Sequence, residues 1–279
     1  MAAPKPAGIS GEPEGPAYAA PALEKGLDIL ELLCRSETPL SLKEIALRLG
    51  RSVGELYRMA ACLVERGYLA NTEDRYRVTT KLFELAHLNP PTHRLLIEAI
   101  PLMEKLSGDL DQSSHLTVYN RGKQIVVAKI DAPSGVGFSV RLGAELDVLV
   151  SASGRVLLAF QDEETRQACI RDSRHASPHY DDPRIEARLA RVRERGFESM
   201  ASRQVRGLHA ISFPVLDRQG QAIAALTVPY AERIDKTERK SIATLEEILG
   251  IAAQTLSARI GGAQSTAAQV KSRPPRHST

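Results

Sequence analysis

The chain has 279 residues, of which 43% are hydrophobic and 25% are charged, and its formal net charge is +3. The length predicts about two domains of roughly 100–200 residues each, and the composition is ordinary for a globular protein. No apolar run approaches the ~18 residues that a membrane helix needs. The N-terminus also lacks the apolar core of a signal peptide, so we expect a cytoplasmic protein without membrane contact. The small net charge does not by itself indicate nucleic acid.

The two ends and the cysteines lead to separate expectations. Residues 1–20 and 262–279 have the composition of a disordered arm and a disordered tail. The three cysteines, Cys34, Cys62 and Cys169, have no metal-ligand spacing. Because Cys34 and Cys62 fall in helical patterns, we predict that both are small core residues of a reduced protein.

Two capped helices organise the N-terminal part of the chain. Residues 21–35 carry an apolar stripe at helical spacing, and S-x-x-E capping boxes follow at Ser41 and Ser52. In such a box the serine oxygen accepts a backbone N–H, and the glutamate three residues later accepts the N–H of the serine. Gly50 can adopt the left-handed conformation that ends the first capped helix. Two short helices joined by a tight turn predict a helix-turn-helix.

A basic hairpin is predicted directly after the second capped helix. Residues 68–78 read YLANTEDRYRV, and the return strand alternates arginine with apolar residues. The alternation places Arg75 and Arg77 on one face of the strand. A basic hairpin behind a recognition helix is typical of a wing, so residues 21–88 predict a winged helix-turn-helix domain.

A DNA-binding face requires basic residues that are gathered on one surface. Residues 22–87 contain ten Lys or Arg and ten Asp or Glu, so the acids of the first helix, including Asp28, should lie elsewhere. The second capped helix should bury Val53 and Leu56 and expose Arg58, which can reach a guanine edge. Glu55 could accept from cytosine, although capping is the simpler interpretation, and any of these charges could be solvated surface. The predicted DNA contacts are Ser41, Lys43, Arg51, Ser52, Gly54, Tyr57, Arg58, Arg75 and Arg77.

The second part of the chain predicts an antiparallel α+β domain. A helix over 81–88 ends at Asn89-Pro90-Pro91, and residues 89–108 form a helical linker to a domain at 109–261. In that domain the patterns predict strands at 114–119, 124–130, 138–142, 197–203, 210–216 and 222–228. They also predict helices after the Ser151–Gly154 loop and at 163–171, 183–196 and 236–260.

The ordered set of these segments resembles the IclR-type transcriptional regulators, named after the isocitrate lyase regulator. The matching pieces are LEKGLDILELL, PLSLKEIALRLGRSVGELYRMAACLVERGYL, RYRVTTKLFELA, VYNRGKQIVVAKIDAP, ASGRVLLAF, RERGF and GLHAISFPVLDRQGQAIAALTV. The resemblance implies a dimerising winged helix, a GAF-like effector-binding domain, dimers or tetramers on double-stranded operator DNA, and an organic-acid or aromatic effector.

The resemblance also implies a set of effector-binding residues. Arg141 is a further candidate as counter-charge, and His115 and His209 are candidates as polar contacts. Asp147 and Pro229 stand where the family has other residues, which alters the polarity expected of the site. The predicted effector-binding residues are Arg141, Leu146, Ala152, Ser153, Leu208, Ala210 and Thr227.

Other functions have weaker support in the sequence. His175, His179, Asp181 and Asp182 could be drawn as a metal site, but they fall in a segment that we predict to be a loop. There is no G-x-S-x-G elbow, P-loop or C-x-x-C, so we expect neither an enzyme nor a cofactor. The alternative hypothesis is a small-molecule sensor or metabolic enzyme that uses its winged helix only for protein–protein interaction.

Overall fold

The computed structural model describes residues 20–88, 90–134, 137–180, 182–232 and 240–261. The chain divides into two compact units after Pro90. The predicted tail at 262–279 and residues 1–19 of the predicted arm lie outside the described residues.

The first unit is a winged helix-turn-helix, as predicted. Three antiparallel strands form its sheet in the order β1-β3-β2. The elements are α1 (Pro21–Cys34), β1 (Leu40–Ser41), α2 (Leu42–Leu49), α3 (Val53–Glu65), β2 (Leu69–Thr72), β3 (Arg75–Val78) and α4 (Lys81–Leu88).

Both predicted capping boxes are present, and they define where α2 and α3 begin. The Ser41 N–H donates to Glu44 Oε2 at 2.7 Å, and the Ser52 N–H donates to Glu55 Oε2 at 2.9 Å. Each serine oxygen accepts the glutamate N–H in return. Gly50 ends α2 with φ of 63°, a conformation that other L-residues adopt at a cost. The hydroxyl and carboxylate contacts therefore satisfy the backbone donors that a helix start leaves open.

Three side chains of this unit are more exposed than predicted. Cys34 and Cys62 are exposed, and Val53 is 39% exposed. Within α3 only Leu56 and Ala60 are fully buried. Cys62 lies six residues after Leu56, which turns it about 240° around the helix and away from the core. The prediction that Cys34 and Cys62 are core residues is wrong.

The second unit is an antiparallel α+β domain, which confirms the predicted fold class. Its six strands form one sheet in the order β6-β5-β4-β9-β8-β7. The helices are α5 (Pro90–Leu110), α6 (Ala152–Ala159), α7 (Glu163–Ala176), α8 (Ile185–Arg195) and α9 (Ile242–Arg259). The strands are β4 (Ser114–Asn120), β5 (Lys123–Ile130), β6 (Glu145–Asp147), β7 (Glu198–Ala201), β8 (Leu208–Leu216) and β9 (Ala222–Ala231).

Helices cover both faces of this sheet. Residues of α5 and α9 pack with β4, β8 and β9 in one core cluster, which includes Met103 and Leu249. Residues of α6, α7 and α8 pack in the other cluster, which includes Val156 and Leu189. The segment predicted as a linker therefore contributes to a core, because Leu95, Ala99 and Met103 of α5 are buried.

Some boundaries in the second unit differ from the prediction. The predicted strand at 138–142 is wrong, and the strand next to β5 is β6 at Glu145–Asp147. Gly143, with φ of 74°, donates its N–H to Val126 O at 2.8 Å, so the chain turns before it pairs. The helix α7 extends to Ala176, which places His175 in its last turn and not in a loop.

Gly154 allows the first turn of α6 to approach the preceding segment closely. A Cβ at this position would lie 2.5 Å from Val148 Cα and would also overlap the Val148 carbonyl. We expect Gly154→Ala to destabilise the protein by at least about 1–3 kcal/mol, the usual cost of overpacking. Gly108→Ala in α5 is the control, because its Cβ would meet no atom within 4 Å. Thermal unfolding measures both, and equal melting temperatures would contradict the steric account.

Candidate DNA-binding surface and apolar cavity

The exposed side of α3 carries several of the predicted DNA contacts. Ser52, Gly54 and Arg58 are exposed, and Tyr57 is 60% exposed. No atom lies within 4 Å of the position that a Gly54 Cβ would take, so this part of the helix is open to close approach. The Ser52 side chain at the start of α3 can position a phosphate, while the longer Arg58 side chain can reach a base edge.

The four arginines that we predict to contact DNA fall into two groups. Arg51 pairs with Asp28 at 3.0 Å, and Arg75 donates to Pro39 O at 2.9 Å and lies 3.4 Å from Glu44. The expectation that the acids of α1 lie away from the basic residues is therefore wrong for Asp28. Tertiary packing explains the difference, because α1 packs against α2 and α3 and brings Asp28 beside the turn between those two helices.

The second group is available to a partner. Arg58 and Arg77 are exposed and have no ion pair within the part of the chain that the structure describes. Lys43 is also exposed, and Ser41 is half-buried as the cap of α2. Glu55, the alternative base contact, is already engaged by the Ser52 N–H and by Lys25 at 3.1 Å.

In the second unit, six of the seven predicted effector-binding residues meet at one cavity of about 140 Å³, the apolar cavity. Arg141 is the exception, because it is exposed and does not line this space. The six converging residues are Leu146, Ala152, Ser153, Leu208, Ala210 and Thr227. Lining residues that the sequence analysis missed include Phe138, Val140, Met200, Arg203 and Val205.

The first turn of α6 supplies one wall of the apolar cavity, and a hydrogen-bond chain holds it. Ser151 caps the helix by accepting the Gly154 N–H at 3.1 Å and donates to Asp147 O at 2.6 Å. Gln124 Nε2 donates to Ser151 Oγ at 2.6 Å from the neighbouring strand. Ala152 and Ser153 follow this cap, so their positions depend on buried contacts of a rigid element.

Asp147 lies beside the cavity wall but is engaged elsewhere. Its carboxylate accepts from Lys123 Nζ at 2.6 Å and from Ser177 Oγ at 2.5 Å. It does not line the apolar cavity. The residue therefore fastens β6 to β5 and to the segment after α7.

His115 brings a buried polar group to the apolar cavity. It pairs with Thr227 across β4 and β9, and its exposure is 5%. Burial lowers the pKa of His115 to about 4, so the ring is neutral near pH 7. Its Nδ1 has no hydrogen-bond partner among the described residues. His209, the other histidine candidate, bonds Ser199 Oγ at 2.9 Å and does not line the cavity.

Arg203 brings a charge to the apolar cavity. It follows β7, its side chain is 50% exposed, and its Nη1 lies 3.9 Å from Asp182 Oδ2. Small-molecule sites are mostly apolar, with a few polar or charged groups that fix the orientation of the ligand. Arg203 lines this cavity and Arg141 does not.

Two family models match this chain. The model described as "Bacterial transcriptional regulator IclR C-terminal" matches residues 91–258, and the IclR helix-turn-helix model matches residues 22–73. The chain belongs to the IclR family of transcriptional regulators. Its second unit carries the apolar cavity within the family's C-terminal domain.

Curated relatives and solved structures agree with this family. XynR of Escherichia coli (strain K12) is 26% identical over 248 residues, 86% of this chain and 96% of that protein. KdgR of the same organism is 29% identical over 234 residues, 81% and 87% of the two chains. An IclR homologue from Microbacterium hydrocarbonoxydans, complexed with 4-hydroxybenzoate, has the same fold, with a TM-score of 0.69, 21% identity, and coverage of 86% and 98%.

The described residues contain no group of three or more His, Cys, Asp or Glu side chains that could hold a metal ion. Asp181, one of the residues considered for a metal site, lies outside the described residues. None of the described helices is long and apolar enough to cross a membrane.

The cap of α3 should depend on pH through Glu55. Hydrogen bonds from Ser52, first its backbone N–H, and the charge of Lys25 lower the pKa of Glu55 from 4.5 to about 2. Its stabilising contribution is therefore complete above pH 4.5 and is lost as the pH falls toward 2. We expect Glu55→Gln to lower the melting temperature near neutral pH. In acid, the difference in melting temperature between the variant and the unsubstituted protein should be smaller. Glu65→Gln, at the exposed end of α3, is the control, and a difference that does not change with pH would refute this account.

Proposed function

We propose that this IclR-family protein is a non-catalytic transcriptional regulator that binds operator DNA through α3 and the wing and is controlled by a small carboxylate in the apolar cavity. The observation that carries the effector part is the convergence of six expected residues on one cavity with a buried neutral His115 and a charged Arg203. The alternative, a small-molecule sensor or metabolic enzyme that uses its winged helix only for protein–protein interaction, predicts no binding to duplex DNA.

The size of the apolar cavity favours a ligand with one ring or a short chain. Its volume is about 140 Å³, and an engineered apolar cavity of about 150 Å³ in another protein holds one benzene molecule. Arg203 supplies the positive charge for a carboxylate at the mouth. The neutral His115 ring and the Ser153 hydroxyl supply hydrogen bonds deeper in the cavity. A single-ring acid with a further hydroxyl matches this arrangement.

One solved structure is consistent with this class of ligand. The homologue from Microbacterium hydrocarbonoxydans is complexed with 4-hydroxybenzoate, and it is 21% identical to this chain. It guides the choice of test compounds, and the cavity residues decide the binding.

The DNA-binding part of the proposal rests on the division of the basic residues. Arg58 on α3 and Arg77 on the wing are free to contact DNA, whereas Arg51 and Arg75 are held by Asp28 and Pro39. Self-association would place two recognition helices on a two-fold operator. It is favoured by exposed apolar residues of the first unit, among them Leu23, Leu27, Phe83 and Leu88.

Substitution of Arg58 and Arg77 tests the DNA-binding surface. Arg58→Ala should weaken binding to a duplex selected from a random pool by about 1–3 kcal/mol, the value of one base contact. Arg77→Ala should weaken binding to all duplexes by a similar factor, because it contacts phosphate. It should also reduce the salt dependence of binding by about one released counterion. Arg35→Ala, at the exposed end of α1, is the control. Unchanged affinity and salt dependence in both test variants would reject DNA binding by this surface.

A thermal-shift screen tests the effector class. Benzoates, hydroxybenzoates and short aliphatic acids should stabilise the protein, by about 2.7 kcal/mol at roughly 100 times the Kd. Arg203→Gln should weaken binding of an acid more than that of its neutral amide, because only the acid pairs with the guanidinium. Arg206→Gln, exposed and outside the cavity lining, is the control. No shift with any carboxylate, or equal weakening of acid and amide, would contradict the proposal.

A further inference from the structure

A second cavity of about 360 Å³ lies between α8 and the edge strand β7. We call it the basic cavity, because five arginines line it together with one acid. Arg188, Arg191 and Arg195 recur on one side of α8, Arg155 comes from α6, and Arg203 follows β7. The acid of the lining is Glu198, the first residue of β7.

Two acids hold the floor of the basic cavity. Arg155, whose side chain is 4% exposed, lies 3.1 Å from Glu198 and 3.6 Å from Asp182. Asp182 is itself 5% exposed, and the same oxygen also faces Arg188 at 2.7 Å and Arg203 at 3.9 Å. One carboxylate oxygen of Asp182 is thus within 4 Å of three guanidinium groups, so positive charge is in excess around it.

The geometry of these contacts leaves donors unused. Arg188 Nε and Asp182 Oδ2 are close enough for an ion pair, yet neither has an aligned hydrogen bond among the described residues. Arg191 has no ion-pair partner in the same part of the chain, and it is exposed at the cavity. Arg195 is engaged, by Glu246 at 3.0 Å and by the ring of Phe197 at 4.0 Å.

The count of charges indicates what the basic cavity lacks. The five lining arginines face Glu198, Asp182 and Glu246, so two positive charges remain without a counter-charge from these acids. Arg191 and Arg203 are exposed at the cavity, so their guanidinium groups are accessible to an anion. Burial, the largest cause, lowers the pKa of Arg155, and the charge of the neighbouring Arg188 lowers it further.

We propose that the basic cavity binds a small anion with two or more negative charges, such as a phosphorylated or polycarboxylate metabolite. Arginine forks match phosphate and carboxylate oxygens in pairs, and the spacing of Arg188 and Arg191 on α8 lets both reach one ligand. A concave space of this volume admits a small molecule and excludes the convex backbone of a duplex. Met200 and Arg203 line both cavities, whereas Arg188 and Arg191 do not line the apolar cavity, so substitutions of these two arginines test the basic cavity separately from the proposed effector.

Calorimetric titration of the full chain tests this site, with pyrophosphate and citrate as probes and acetate as the monovalent comparison, in a buffer free of phosphate. Pyrophosphate or citrate should bind saturably and acetate should not. Arg191→Gln should weaken that binding about tenfold, as expected for one charge-assisted contact. Arg188→Gln should weaken it in the same way. A response to pyrophosphate alone would identify a phosphate ligand, and a response to citrate alone a polycarboxylate.

The control is Arg171→Gln, an exposed arginine of α7 outside the basic cavity, which should bind the probes as the unsubstituted protein does. The melting temperature of Arg191→Gln without anion should not fall, since the substitution removes one uncompensated charge. Absence of saturable binding would show an ion-pair network only and overturn the proposal. The proposal would also be overturned if Arg171→Gln weakened anion binding as much as Arg191→Gln does. A third contradicting result would be Arg191→Gln protein that loses operator affinity but binds the anions unchanged.

Discussion

The close approach of α6 to Val148 is the contact on which the second unit depends. Gly154 makes it possible, because a side chain at that position would overlap the Val148 backbone. Ser151 and Gln124 then hold the turn through partly buried hydrogen bonds. The same turn places Ser153 at the apolar cavity and Arg155 at the basic cavity. One backbone contact thereby positions walls of two cavities, one mostly apolar and one rich in arginine.

In the first unit, local capping and long-range ion pairs divide the basic residues. The capping boxes place α2 and α3 through contacts between residues three apart. Packing of α1 then ties Arg51 to Asp28, and Arg75 reaches the Pro39 carbonyl. Arg51 and Arg75 therefore have partners within the chain, which is why we propose the exposed Arg58, Arg77 and Tyr57 as the main DNA contacts. Because α3 begins Val53-Gly54-Glu55 and Glu55 is engaged in the cap, its first turn offers few groups for base reading.

What could be predicted from the sequence was mostly local or came with the family resemblance. Capping boxes, hairpins and the order of strands depend on near neighbours, and the resemblance located six residues of the apolar cavity. The turn at Gly143 was missed because the preceding residues have the composition of a strand. The sequence analysis named Arg141, which does not line the cavity, and missed Arg203, which does, because no periodic pattern indicates which arginine lies beside a cavity. The basic cavity collects residues from α6, α8 and β7, which only the tertiary fold brings together.

In the function that we propose, an effector acid pairs its carboxylate with Arg203 and lies against the first turn of α6, which forms a buried wall of the apolar cavity. Hydrogen–deuterium exchange of the full chain tests it most directly, with and without the acid that gives the largest thermal shift. The account predicts slow exchange in residues 152–159, all of which are buried, and further protection of the backbone amides at 152–154 when the acid is added. Fast exchange of this turn in the free protein, or protection confined to other segments, would contradict the account.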